Sequence, residues 1–350
     1  MTNILDFNQN QITEIVKSLG EKEFRAKQVY GWLIKGVESW DEMNNVPKAL
    51  RERLAAEYYI GLPTVVTEQC SKDGTRKCLY EFKDGARVES VFMQYSYGNS
   101  ICISSQVGCR MGCSFCASTL NGLERNLTAG EMLGEVLRMC RQVSGDRTFS
   151  IGNNADRPLN HIVIMGMGEP FDNYEELAKF LELIHDERGF GLSYRNITVS
   201  TCGLIPNMNR FAEEFPQVNL AVSLHASNGK RRAEIMPVAR KYAYDELMSA
   251  CRAYTEKTGR RISFEYSMID GVNDSEAQAR ELASSLKGWL THVNLIPLNK
   301  VEERSYEAAQ SANIQRFKEI LEEEGVAVTV RRTLGSDIDA ACGQLRSRNS

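Results

Sequence analysis

The sequence predicts an α/β protein built on a partial (βα)6-type TIM barrel, preceded by a small helical accessory unit and a short β-rich linker. Two observations carry this. From about residue 95 onward, apolar strand-like runs recur with helix-like segments between them, and polar residues collect where those runs end. A third is size: 350 residues with 42% hydrophobic and 25% charged content can bury one large core, or one large and one small.

Residues 1–60 show helical periodicity, with Ile12, Ile15, Val16 and Leu19 on one stripe and Val29, Tyr30, Trp32 and Leu33 on another. Residues 61–94 change character. The run "RKCLYEFKDGARVESVFMQYSYGN" alternates and carries "DG" and "YGN" turn signals, as antiparallel strands do. Over 95–335, strands are expected at "ICISSQ", "HIVIMG", "NITVST", "NLAVSL", "ISFEYSMI", "HVNLIPL" and "VAVTVRR". Helices are expected between them, including "TAGEMLGEVLRMCRQV", with Thr128 as N-cap and Glu131 three residues on, and "DNYEELAKFLELIHDE" after Pro170. Residues 336–350 form a C-terminal segment. Barrels of this kind place their sites at the C-terminal ends of the strands. The cysteine loop follows the first strand, "GMGEP" the second, Ser200 closes the third, "SLH" (223–225) the fourth and "PLN" (297–299) the sixth.

Ten cysteines in this length are too few for a disulfide scaffold and suit a reducing, cytoplasmic setting. The first residues lack a basic stretch followed by an apolar one, and no apolar run approaches the roughly 18 residues that span a membrane. Neither export nor membrane insertion is expected. The N-x-S/T matches at Asn126, Asn196 and Asn273 are then chance. A net charge of −4 argues against a broad phosphate-binding surface without excluding RNA. The basic pairs at 230–232, 240–241, 260–261, 331–332 and 346–348, taken singly, read as solvated faces.

"SSQVGCRMGCSFCAS" packs Cys109, Cys113 and Cys116 into eight positions. A structural zinc site wants four ligands, usually with a second C-x2-C pair, and that pair is absent. Three thiolates on one loop can instead hold three irons of a cubane cluster and leave the fourth open to a small molecule. Cys102 and Cys342, read as single cysteines, are ordinary small buried hydrophobes, and Glu89 in "RVESV" is a strand glutamate.

C-x3-C-x2-C after the first strand of a partial barrel resembles the radical S-adenosylmethionine (SAM) enzymes. Within them "CISSQVGCRMGCSFC", "RNLT", "MGMGEPFDN", "STCGLIP", "SLHAS" and "DIDAACGQL" resemble the RNA adenine C2-methyltransferases of the RlmN/Cfr family over essentially the whole chain. The resemblance implies a [4Fe-4S] cluster on Cys109, Cys113 and Cys116, whose open iron chelates SAM. It implies SAM contacts at Gly168, Glu169, Ser200, Ser223, Leu224, His225 and Asn299. In the family, one SAM methylates the cysteine matching Cys342. A second is cleaved reductively, and the 5′-deoxyadenosyl radical activates that methyl for addition to C2 of adenine. The cysteine matching Cys102 then resolves the protein–RNA adduct through a transient disulfide, with Glu89 as proton acceptor.

By the same resemblance the substrates are an adenosine of the 23S rRNA peptidyl transferase centre and the tRNA adenosine just 3′ of the anticodon. Both lie in loops that can be unstacked, so a broad basic surface is not required. The helical unit and the basic pairs near the strand ends are the expected RNA contacts. A flavodoxin- or ferredoxin-type electron donor and a monomer are expected, with no membrane partner. Alternatives are methylation at C8, as in the Cfr branch, from which Pro170 and "RRT" (331–333) lean away. Others are a radical SAM enzyme acting on a small molecule or a protein glycine, or a non-catalytic iron–sulfur protein, which would need a fourth ligand.

Overall fold

The computed structural model describes residues 1–149, 157–332, 334–338, 340 and 343–345. Helices α1 (Gln9–Ser18), α2 (Glu23–Leu33) and α3 (Lys48–Glu57) come first, and a two-residue parallel pairing of Thr2–Asn3 with Tyr58–Tyr59 closes this unit. The side chains of the two predicted stripes point inward. Ile12, Val16, Val29 and Leu33 are buried, and they join the same hydrophobic core as the barrel.

Among the described residues, ten strands form one open sheet whose spatial order is their chain order. They are β1 (Thr64–Cys70), β2 (Arg76–Glu81), β3 (Arg87–Tyr95), β4 (Gly98–Ile103), β5 (His161–Ile164), β6 (Ile197–Thr201), β7 (Asn219–Ser223), β8 (Ile262–Met268), β9 (Thr291–Pro297) and β10 (Val328–Val330). β1 to β4 run antiparallel. From β4 to β10 every pairing is parallel. β4 therefore joins both halves, and the antiparallel strands of the linker extend the barrel sheet. Each run expected to be a strand between residues 101 and 332 contains one. Their continuous apolar stretches, such as "IVI" in β5 and "LAV" in β7, are what a parallel strand covered on both faces needs.

Helices α4 (Ala129–Val143), α5 (Tyr174–His185), α6 (Ile205–Glu214), α7 (Gly229–Ile235), α8 (Tyr244–Thr258), α9 (Glu276–Leu286) and α10 (Ser311–Glu323) return the chain between parallel strands. The capping box on α4 forms as the spacing predicts. Thr128 Oγ1 accepts from the Glu131 N–H at 3.1 Å, and the Glu131 carboxylate accepts from the Thr128 N–H at 3.0 Å. Asp6, from the N-terminal unit, accepts the Gly130 N–H at 2.7 Å, and Arg141 donates to the Gly36 carbonyl at 3.0 Å and to Glu42 at 2.9 Å. The helical unit is thus docked on α4. No helix of the described residues is long and apolar enough to cross a membrane.

One expectation fails here. Arg232, in the basic run 230–232, is not on a solvated face: it is 0% exposed. Helix α7 turns it under the strand ends, where it donates to the Cys202 carbonyl at 2.6 Å and the Ser223 carbonyl at 3.2 Å. Charge pattern alone cannot reveal which face of a helix of about two turns is inward.

Candidate active site

The loop carrying the three cysteines leaves β4 through a hairpin in which Gln106–Gly108 pairs with Leu123–Asn126. Gly108 makes this crossing feasible. Its φ is +75°, and a Cβ there would lie 2.0 Å from the Gly122 carbonyl oxygen. The same carbonyl accepts the Cys109 N–H at 2.9 Å. Inside the loop the Thr119 hydroxyl lies 3.0 Å from the Cys113 carbonyl and 2.9 Å from that of Cys116, which also receives Arg304. The Ser114 N–H donates to the Ile235 carbonyl at 2.9 Å. The C-terminal segment docks on the loop as well. The Ala117 N–H donates to the Gly343 carbonyl at 2.8 Å, and the Ser118 hydroxyl to that of Leu345 at 2.7 Å.

Cys109, Cys113 and Cys116 line one cavity at the strand ends. Burial pushes the Cys109 thiol up to about 12 and moves Cys113 in the same direction, with the neighbouring thiols adding to both. Such thiols give up their protons when a cation arrives to offset the thiolate charge, which couples metal binding to proton release. Among the described residues no group of three or more His, Cys, Asp or Glu side chains converges tightly enough for a single metal ion. Three cysteines on one loop around a shared cavity can hold a polynuclear cluster at three corners.

The strand ends face the same cavity. Gly168, Glu169, Ser200, Ser223, His225 and Asn299 all line it. Gly168 has φ +102°, and a Cβ would come within 2.6 Å of Gln106 Cβ, so the chain after β5 passes against the base of the cysteine hairpin. Glu169 is fixed from both sides. Its Oε1 accepts the Phe171 N–H at 3.0 Å and its Oε2 the Cys202 N–H at 2.7 Å. Burial raises its carboxyl above the ordinary range while these backbone donors pull the other way. A buried carboxylate so placed can receive a cationic group. Leu224, also expected to contact SAM, does not line the cavity: it is fully buried and its N–H donates to the Glu265 carbonyl at 3.0 Å.

His225 is held in the left-handed region, φ 54°. Its Nδ1 lies 2.9 Å from the Ser267 N–H and accepts it, which leaves the proton on Nε2 in the neutral ring. Burial, with Arg232 second, lowers it to about 3. The ring also packs edge-on against Phe115 of the cysteine loop, centroids 4.8 Å apart.

Sequence reasoning missed three groups. Glu265, in the middle of the expected strand "ISFEYSMI", lines the cavity with its carboxyl raised by burial. Asn294 donates to it at 3.2 Å, and Arg331 lies 3.9 Å away. Arg331 itself lines the cavity, and Arg232 sits beneath it. The only signal for Glu265 was a charged residue inside an apolar β-run. Cys202 lines the cavity too.

Cys102 lies on β4, opposite Val91 of β3 and Val163 of β5. It faces a second cavity lined also by Val91, Met93, Tyr95, Arg332, Leu334 and Ala340. Met165, Ile296, Asn299, Arg331 and Leu345 line both cavities, so the two adjoin. Glu89 lines neither. It is buried on β3, two residues before Val91 on the same face, and its Oε1 is 3.4 Å from Lys77 Nζ. Cys342 lies outside the described residues.

Residues 2–60 match the family model for the ribosomal RNA large subunit methyltransferase N-terminal domain, and residues 103–283 that for the radical SAM superfamily. A protein of Clostridium perfringens bearing the name dual-specificity RNA methyltransferase RlmN is 49% identical over 348 residues, 99% of this chain and 97% of that one. One of Lachnoclostridium phytofermentans with the same name is 53% identical over 333 residues, 95% and 90% of the two chains. The crystal structure of a radical SAM methyltransferase from Sphaerobacter thermophilus, 44% identical, superposes with a TM-score of 0.94 over 99% of this chain and 100% of that one.

Proposed function

The chain belongs to the RlmN family within the radical SAM superfamily, and from that premise we propose that it is an RNA methyltransferase. In our reading it methylates C2 of an adenosine in 23S rRNA and of the tRNA adenosine 3′ of the anticodon. The observation that carries this reading is the pair of adjoining cavities, one ringed by the three cysteines and the polar strand ends, the other reached by Cys102. The chemistry needs both. Adenine C2 is electron-poor and bears a hydrogen, so it cannot displace a methyl group as a nitrogen or oxygen nucleophile does.

Cys109, Cys113 and Cys116 hold the [4Fe-4S] cluster that family membership implies, and Glu169 receives the cationic amino group of SAM. His225 presents its Nε2–H to the cavity, while Ser200, Ser223 and Asn299 supply polar groups at the strand ends. When bound, the cluster and two molecules of SAM per turnover would supply a methyl group and a hydrogen-abstracting radical. Cys342 carries the methyl carbon and forms the bond to C2. Ala340, two residues before it, lines the second cavity and Gly343, the residue after it, lines the first, which supports this role. Glu89 accepts the C2 proton, and the one electron that the radical adduct must also lose would go to the oxidised cluster. The Cys102 thiolate attacks the Cys342 sulfur and breaks its bond to the methylene. The electron pair goes to that carbon, which takes up a proton and becomes the methyl group as the disulfide forms. A flavodoxin- or ferredoxin-type protein supplies electrons in the cytoplasm.

The test is anaerobic reconstitution with iron, sulfide, SAM, a reductant and either a 23S fragment or tRNA, with the product mapped against C2 and C8 standards. C2 product on both RNAs is expected, and C8 product would overturn the regiochemistry. Cys102→Ala should accumulate a cross-linked protein–RNA species on denaturing gels. Normal turnover by that variant would overturn the resolving role.

A further inference from the structure

The hairpin joining β3 to β4 turns at Ser96 and Tyr97. Tight two-residue turns favour Asn and Gly. Here the tip instead carries a tyrosine that is 66% exposed. Its ring stacks on Tyr95, centroids 4.9 Å apart and planes within 9°, and meets His161 edge-on at 5.4 Å. Tyr95 lines the cavity that Cys102 faces. The stack therefore runs from the cavity wall out to solvent. Arg331 and exposed Arg332 line the same cavity, and the Arg331 charge reaches the Tyr97 phenol.

An exposed aromatic ring in isolation needs no explanation. A two-ring stack that begins at a cavity also lined by two arginines and reaches the field of Arg331 does. Single-stranded RNA is bound by stacking splayed bases on aromatic rings while cationic side chains meet the phosphates. An adenine drawn out of a loop into the Cys102 cavity leaves its neighbour without a stacking partner.

We propose that Tyr97, backed by Tyr95, is the stacking platform for the unpaired base adjacent to the methylated adenosine, with Arg332 contacting the accompanying phosphate. This rests on the RNA-methylating reading above and adds where the substrate docks. It makes Tyr97 an RNA-positioning residue at the cavity mouth, outside the SAM cavity.

The test uses the reconstituted holoenzyme and a hairpin RNA carrying 2-aminopurine next to the target adenosine. Fluorescence, affinity and methylation are read in the same samples. Wild type, Tyr97→Phe and Tyr97→Trp should quench the probe. Tyr97→Ala should not, and its RNA affinity should fall about 5- to 150-fold, the range of one base–aromatic stack, with the salt dependence unchanged. Arg332→Ala should keep the quench and flatten the salt slope by about 0.7. Iron content and SAM cleavage should match wild type in every variant. Wild-type affinity in Tyr97→Ala, or a Phe variant as weak as Ala, would overturn the stacking role while wild-type methylation kept the underlying activity intact. A wild-type enzyme that neither bound nor methylated the RNA would overturn both.

Discussion

Lys77 and Glu89 face each other across neighbouring strands β2 and β3 with side chains only 11% and 9% exposed. Two charges so far out of water are tolerable as a pair, and removing one strands the other. In the proposed reaction Glu89 takes up a proton, with the Lys77 ammonium 3.4 Å from its carboxylate. Lys77→Met should therefore slow methylation, while Lys77→Arg should restore it. Single-turnover rates check this, and a wild-type rate in the Met variant would remove Lys77 from the mechanism. His225 makes a related point with geometry. A non-glycine residue at φ 54° whose Nδ1 is used by a backbone donor has its tautomer and orientation set before any ligand arrives.

At the scale of elements, the hairpin that brackets the cysteine loop and the helix that follows it each offer a direct check. Gly108→Ala forces a methyl group into the Gly122 carbonyl at a backbone angle that alanine resists. The reconstituted variant should hold less iron than wild type while keeping its helical circular dichroism. Full iron content would mean the crossing can relax. On α4, Glu135 is wholly buried, its Oε2 accepting from Ser90 Oγ at 2.5 Å and the Ser104 N–H at 3.1 Å. Burial, the largest cause, raises its carboxyl to about 8, against an ordinary value near 4.5. A folded-state value above the unfolded one means that the protonated form is favoured by folding. Its contribution is complete below about pH 4.5 and is lost as pH rises through about 8. Wild type should lose stability across this window relative to Glu135→Gln, by up to about 1.4 kcal/mol per pH unit, read from urea midpoints between pH 5 and 9. Parallel curves would show that the carboxyl ionises in place.

At the scale of the whole molecule, the N-terminal helices and the barrel share one hydrophobic core, and Arg141 bridges them through Gly36 and Glu42. Removing residues 1–60 uncovers apolar surface on α4 and takes away Gly36 and Glu42, the partners of that guanidinium. The truncated chain should lose its cooperative thermal transition. A wild-type Tm after truncation would mean that the barrel stands alone. The C-terminal segment is tied in differently, by backbone carbonyls of Gly343 and Leu345 received on the cysteine loop.

The parallel strands and the α4 cap were legible in the sequence because period and capping spacing are local properties. The three-cysteine loop was legible too, since its donors lie within eight positions. That Gly168, Ser200, His225 and Asn299 gather with those cysteines at one cavity could be anticipated only through the rule that barrel strand ends share a face. Tertiary structure alone decided the remainder. Arg232 read as a surface charge because a charged run carries no record of which side faces in, and Glu265 read as strand interior. The Lys77–Glu89 pair depends on strand register, and the junction of the two cavities depends on how β5, β9 and β10 pack. Sequence determines what is near along the chain. The site is made by groups that only the closing sheet brings within reach of one another.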